Sequence, residues 1–550
     1  MPIARAGVPF AALRRIAVLV VLAAAPMPTA ALLGQQPINT SGAAATPEHE
    51  CWAATAYSVR LEIDPANRHM RGRAEIRAKA LHGSTKVAVD LDPALVVDRV
   101  AVGERVVAHA RDGGRVLIEL PTAVAANEAF TVFVDYSGSP RTAVRSPWAG
   151  GIHWAKAPDG SPWIVSDCRL EGADVWMPCH DRPGARVESV RCEFVVPKGL
   201  VAVAVGKPDG ERQVDGDRAS FAFVAQGSVA PGDLGFCIGP FERLEQAHGS
   251  AEAAANRLAW YVLPGSAAAA RRCMPQVADQ LAVYESLVGA RLSDDRPTAL
   301  VQVPDGAGGA SALLAYSGAF LDEQFDPVLN RAVAGLLVQQ AIALPDWQDA
   351  WLRDGLGAYL AMLYREARFG PQAYRRDLVR WRPKNVEPLV PEGPRDARAM
   401  YLGPGRGADL TARSCWLLHT VRWQMGDEAF FAALRAGLRH DAVAPRLRTT
   451  EEFVARCSEA ARRDLAPLFS AYLRSAALPR LEATRAGGRL RLQCVNPQGG
   501  FVALAVPVLL GGTEVRVELL DGRGELEVGD REHAIDPEQR VLLQRGDGVR

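Results

Sequence analysis

The hydrophobic period of this chain changes twice, and no other feature limits its architecture so strongly. In AYSVRLEIDP the apolar positions Tyr57, Val59, Leu61 and Ile63 alternate; in KVAVDLDP, Val87, Val89 and Leu91 do; in FTVFVDYSG, Phe130, Val132, Val134 and Tyr136 do. A period of two buries one face of a strand and leaves the other in water, and short strands separated by turn residues favour a sandwich. Near residue 250 the texture becomes helical: DEAFFAALRAGLRH and TTEEFVARCSEAARRDL carry the longer period, the second opened by a Thr/Glu capping box. Alternation returns after Leu478 in RLRLQCV and TEVRVELLDG. The expected fold class is multidomain α+β, with an N-terminal β-sandwich over 49–246, a mostly helical domain over 247–478 and a small C-terminal β-domain over 479–550.

A length of 550 residues suits roughly three or four units with their own cores. The 63 basic and 63 acidic residues cancel, so no overall field draws in nucleic acid or an anionic membrane. Arg5, Arg14 and Arg15 precede the apolar run RIAVLVVLAAAP and the small-residue stretch PTAALLG, so residues 1–33 read as a secretory signal peptide, with a short membrane anchor as the alternative. Residues 34–48 read as a flexible linker. Through that signal the cleaved chain is expected to be extracytoplasmic, periplasmic or secreted, and since no later segment offers ~18 consecutive apolar residues, no integral membrane segment is expected after cleavage. The nine cysteines include no CxxC pair; one disulfide among Cys168, Cys179 and Cys192 and a set of buried thiols are both open.

The stretch DPVLNRAVAGLLVQQAIALPDWQDAWLRDGLGAYLAML, 326–363, contains the strongest positional signals. Asp326 can cap a helix whose first turn begins at Pro327. Asp346, Asp349 and Asp354 suggest an acidic metal site, but capping and the helix dipole account for the first two. Trp347 and Trp351, with Leu352 and Tyr359, read as core. No G-x-S-x-G elbow or P-loop is present, GPGRG at 403–407 reads as a loop, His180 lies in a turn, and His419 in CWLLHTVRW reads as a packed helical residue.

EGADVWMPCHDRPG (171–184), then VRCEFVVPKGLVAVAVG and GFCIGPFERLE, resemble the amino-terminal domain of the aminopeptidase N family, the gluzincin zinc metallopeptidases that include the membrane alanyl aminopeptidases. PDWQDAWLRDGLGAYL and LLHTVRWQMGDEAFFAALRAGL extend the resemblance over nearly the whole mature chain. It implies a thermolysin-like middle domain and a deep cleft between the first two domains. In the family a helical HExxH and a Glu 18 residues beyond it bind zinc; here Asp354 takes that Glu position, and counting back places Arg331 and Gly335 at the two His and Ala332 at the general base.

Zinc chemistry of this kind needs two imidazoles, a carboxylate, an open position for water and a base. Gly335 has no donor, Ala332 accepts no proton, and Arg331 brings a fixed positive charge. No histidine lies between His248 and His419. The amine-anchoring Glu of the family falls on Ser311 in GGASA (308–312), and the tyrosine that steadies the tetrahedral intermediate falls on Thr411, with Tyr401 reachable through a gap. The resemblance with these departures implies a pseudopeptidase with a binding or scaffold role, no catalytic or metal-ligating residues, no cofactor, and a peptide or protein as partner in the interdomain cleft. An ion pair between Arg331 and Asp354 is expected where the metal would sit. The alternative is an active metallopeptidase whose zinc is held by rearranged ligands drawn from Asp346, Asp349, Asp354 and His419.

Overall fold

The computed structural model describes residues 40–146, 149–247, 257–292, 299–308, 314–318, 320, 322–383, 388–401, 406–439, 447–546 and 548–549. The proposed signal peptide, Ser311, and residues 403–405 lie outside them.

The alternating segments are strands. Trp52–Asp64 runs through a nine-stranded sheet, antiparallel to His69–Ala80 and parallel to Val187–Pro197. Its Val59, Leu61 and Ile63 are buried while Arg60 and Glu62 face water, as the period requires. A three-stranded sheet of Ser84–Asp90, Arg115–Val124 and His109–Asp112 supplies Val87, Val89, Val116 and Ile118 to the same core. A four-stranded sheet of Gly151–Lys156, Pro162–Asp167, Val201–Ala204 and Phe236–Gly239 completes this β-rich amino-terminal part.

A short helix, α1 (Pro47–Glu50), precedes those strands. The helical middle consists of α2 (Ala267–Val288), α3 (Pro327–Ala341), α4 (Ala350–Phe369), α5 (Pro371–Arg380), α6 (Ala397–Tyr401), α7 (Arg406–Met425), α8 (Asp427–Leu438), α9 (Thr450–Ala461) and α10 (Ala466–Leu473). It also contains a four-stranded sheet of Glu242–Ala247, Arg257–Val262, Ala299–Gln302 and Leu314–Tyr316. Asp326 caps α3 as its position suggests, its Oδ1 accepting from the amides of Val328 at 2.8 Å and Leu329 at 3.1 Å, with Pro327 in the first turn. Thr449 accepts from the Glu452 amide at 3.2 Å to open α9. Trp347, Trp351, Leu352 and Tyr359 are all buried in the core these helices share.

The last strands form a four-stranded and a three-stranded sheet, whose buried residues, Leu481 and Val506 among them, are continuous with the helical core. The Gln424 side-chain amide both donates to the Ala505 carbonyl and accepts from its amide, each at 2.9 Å, so α7 ends as a hydrogen-bonded neighbour of the strand Leu504–Leu510.

One expectation is corrected, and one of two readings left open holds. Residues 40–48 are not a free linker: the Ser41 and Gly42 amides donate to the carbonyls of Leu170 and Asp181 at 3.1 and 3.0 Å, Ser41 is buried, and α1 begins at Pro47. Small polar residues gave the segment a linker's composition, yet small size is what lets Gly42 lie 2.9 Å, measured from an ideal Cβ, from the Trp347 ring. No disulfide forms among Cys168, Cys179 and Cys192; all nine cysteines are buried thiols. Among the described residues no helix is long and apolar enough to cross a membrane.

Candidate functional site

The site is assembled where α3 and α4 pack side by side. An added Cβ at Gly357 on α4 would stand 3.2 Å from the Gly335 Cα on α3, so the missing side chain permits the close approach. Gly335 itself opens the other way: a Cβ there would meet nothing within 4 Å. Around this point lies a cavity of about 580 Å³, walled by Gly335 and Gln339 of α3, Asp354 and Ala358 of α4, Trp381 after α5, and Thr411 of α7. Arg331, Gly335, Asp354, Thr411 and Tyr401 all line it, so the positions picked from the sequence converge; Ala332, half-buried, packs against the core beside it.

Asp354 is held on both oxygens. Its Oδ1 receives an Arg169 guanidinium N–H at 3.1 Å, and its Oδ2 receives the Tyr401 hydroxyl at 2.5 Å. The Arg169 guanidinium also lies 5.5 Å from the Tyr401 ring centre, and that ring meets Trp347 edge-on at 5.7 Å. The Asp354 charge beside Arg169 raises the pKa of that guanidinium, and burial, followed by the same carboxylate, pushes the Tyr401 phenol well above its usual range.

The expected ion pair therefore exists with a different arginine. Asp354 pairs with Arg169, whereas Arg331 is exposed and stacks on the indole of Trp381 at 5.5 Å. Arg331 stands on the solvent side of α3, and Trp381 offers its guanidinium a partner that costs less desolvation than reaching the floor of the cavity. Arg169 carried no signal in the sequence: it lies 185 residues from Asp354, in a loop of the β-rich part. Tyr401 reaches the site as the gapped alternative allowed, while Thr411 also lines it and turns its hydroxyl to the Gly407 carbonyl at 3.2 Å.

The groups considered for rearranged metal ligation are committed elsewhere. Asp346 caps the following turn through the Gln348 amide at 2.8 Å. Asp349 occupies the N-cap position of α4, but its Oδ1 reaches across to the Thr450 amide at 2.9 Å and hydroxyl at 2.6 Å, so it ties α4 to α9 instead of capping its own helix. His419 is buried with Nδ1 at 2.7 Å from the Tyr374 hydroxyl and Nε2 at 3.3 Å from the Gln539 carbonyl, and burial lowers its pKa to about 3. His180 is sandwiched between the rings of Trp52 and His49 at 5.4 and 5.6 Å. Among the described residues no cluster of three or more His, Cys, Asp or Glu side chains is arranged to hold a metal ion. The donor set at the cavity, one carboxylate with both oxygens engaged and a guanidinium where an imidazole is needed, does not fit zinc.

This architecture is similar to that of M1 zinc metallopeptidases of known structure. A glutamate-to-alanine variant of the M1 zinc metallopeptidase from Deinococcus radiodurans, solved with a Tyr-Ser-Ala substrate, superposes with a TM-score of 0.60 at 19% identity, over 78% of this chain and 95% of that one. The same variant without that substrate gives 0.61 at 19% identity over 78% and 95%, and a two-domain M1 zinc metallopeptidase bound to L-tryptophan gives 0.61 at 19% over 78% and 96%. No protein-family model matches the sequence, and no curated protein does. At this identity the likeness establishes the fold alone, and to that extent the expectation of such a fold holds.

Proposed function

We propose that the chain is an exported pseudopeptidase of the M1 type, which uses the cleft as a binding surface and cuts nothing. The observation that supports this most is the state of Asp354: the one carboxylate left at a zinc-ligand position is engaged by Arg169 and Tyr401, and positions 331, 332 and 335 supply neither an imidazole nor a base. A buried carboxylate paired this way has its charge balanced without a metal. Ser311 at the amine-anchoring position weakens recognition of a free amino terminus, so the peptide class is open to revision by charge. That M1 metallopeptidases of the same fold have been solved with a tripeptide and with an amino acid supports a peptide-sized occupant. Export rests on the apolar run after Arg14 and Arg15.

The test is hydrolysis of aminoacyl anilides by the purified mature chain. No release above the uncatalysed rate is expected with or without added zinc. Turnover that a chelator abolishes and zinc restores would contradict the proposal.

A further inference from the structure

The cavity over Asp354 has a charge balance opposite to that of a cation site. Five arginines, Arg169, Arg331, Arg353, Arg380 and Arg382, line it together with the acids Asp354 and Asp409. The pair between Arg169 and Asp354 cancels one of each. Arg353 lies against Asp233 at 3.8 Å. Among the described residues Arg331, Arg380 and Arg382 have no ion-pair partner within 4 Å, although the Asp377 carboxylate feels the charges of Arg380 and Arg331, and all three line the cavity and are exposed.

Two of these three are held in place. The Arg331 guanidinium lies 5.5 Å from the Trp381 ring centre, and that of Arg382 lies 5.3 Å from the Trp416 ring centre. Stacking on an indole fixes the plane of a guanidinium, so less freedom is lost when a carboxylate arrives than with a lysine; Arg382 also donates one N–H to the Gln539 side-chain oxygen, which leaves its remaining N–H groups for a ligand. Between the guanidiniums the wall is apolar, formed by Leu170, Ala358, Ala412 and the Trp381 ring. A small inorganic anion makes no use of such a wall; a peptide does. The cavity volume of about 580 Å³ lies within the usual span of ligand sites, roughly 300–1,000 Å³.

We infer that this cavity takes an acidic peptide segment, with carboxylates on Arg331, Arg380 and Arg382 and apolar atoms against the Trp381 wall. The inference rests on the reading of the cleft as a peptide site and adds the charge class of the peptide.

The probe is a fluorescein-labelled Ala-Glu-Ala-Glu-Ala-Glu peptide with a free carboxyl terminus, compared by anisotropy with its Gln counterpart on the full mature chain. The Glu peptide is expected to bind about ten-fold or more tightly than the Gln peptide, with affinity falling as salt rises from about 50 to about 300 mM. Arg331→Ala and Arg380→Ala are each expected to weaken it about five-fold or more with unchanged melting temperature, because both side chains are exposed, while Arg212→Ala, on the β-rich part, leaves it unchanged. Equal affinity for the two peptides would overturn the inference and leave the peptide site standing. Absence of binding, or displacement of the peptide by inorganic phosphate at matched charge, would overturn the inference too. Zinc-dependent cleavage of the probe would instead overturn the pseudopeptidase reading on which it rests.

Discussion

Asp354 ties the β-rich part to α4, with a guanidinium on one carboxylate oxygen and a phenol on the other. A second group of acids, in the β-rich part, makes stability depend on pH. Glu171 is buried, its Oε1 accepts from the Gly150 amide at 2.6 Å, and burial raises its pKa to about 7; burial and then the charge of Asp90 raise Asp181 to about 8. These groups keep protons in the folded chain that the unfolded chain releases near pH 4. Each therefore subtracts stability progressively as pH rises from the unfolded value to the folded one, and the full cost is present above about 8. Glu171→Gln mimics the protonated form, so it should flatten this decline and raise stability at pH 8 by about 1–3 kcal/mol. Urea melts at pH 5 and pH 8 check it; an unchanged slope would count against the assignment. At this scale the sequence was legible where chemistry is local. Asp326 and Pro327 announce their helix, but Arg169 meets Asp354 only through the tertiary fold, and the burial that raises the Glu171 pKa has no local mark.

The pair α3 and α4 preserves its frame through small residues. Gly357 lets the two helices approach, and Gly355 does the same for α4 against α7, where an added Cβ would stand 2.3 Å from the Ser414 Cβ. Alanine is the better helix former by about 1 kcal/mol, so in an exposed helix Gly355→Ala would stabilise. Here overpacking by about 1–3 kcal/mol should win, giving a net loss seen as a lowered urea midpoint, and a raised midpoint would show that the crossing is looser than described. The caps and the tryptophan core of these helices could be read from spacing because they follow the helical period. Asp349 could not, since a residue at an N-cap position is free to spend its carboxylate on another helix, and it does so on α9. Residues 40–48 were misread for a related reason: composition describes what a segment could do alone, and burial against Leu170 and Trp347 depends on its neighbours.

At the level of the whole molecule, the order of β-rich part, helical middle and closing strands was legible because the apolar period switches where the architecture does. The continuity of the last strands with the helical core was not, because periodicity says which face is buried and not against what. A fold similar to that of M1 zinc metallopeptidases, at 19% identity, holds a cavity where α3 and α4 meet, and that cavity is lined by arginines. If, as proposed, the scaffold is kept without metal chemistry, the chain should not hold zinc. Titration of the purified, metal-free mature chain with zinc, followed by calorimetry and by elemental analysis after dialysis, tests it most directly. Less than about 0.1 equivalent of zinc retained and no saturable heat at micromolar metal are expected, since a catalytic zinc site needs three protein donors and a structural one four. One equivalent of tightly held zinc, lost on Asp354→Ala, would contradict it.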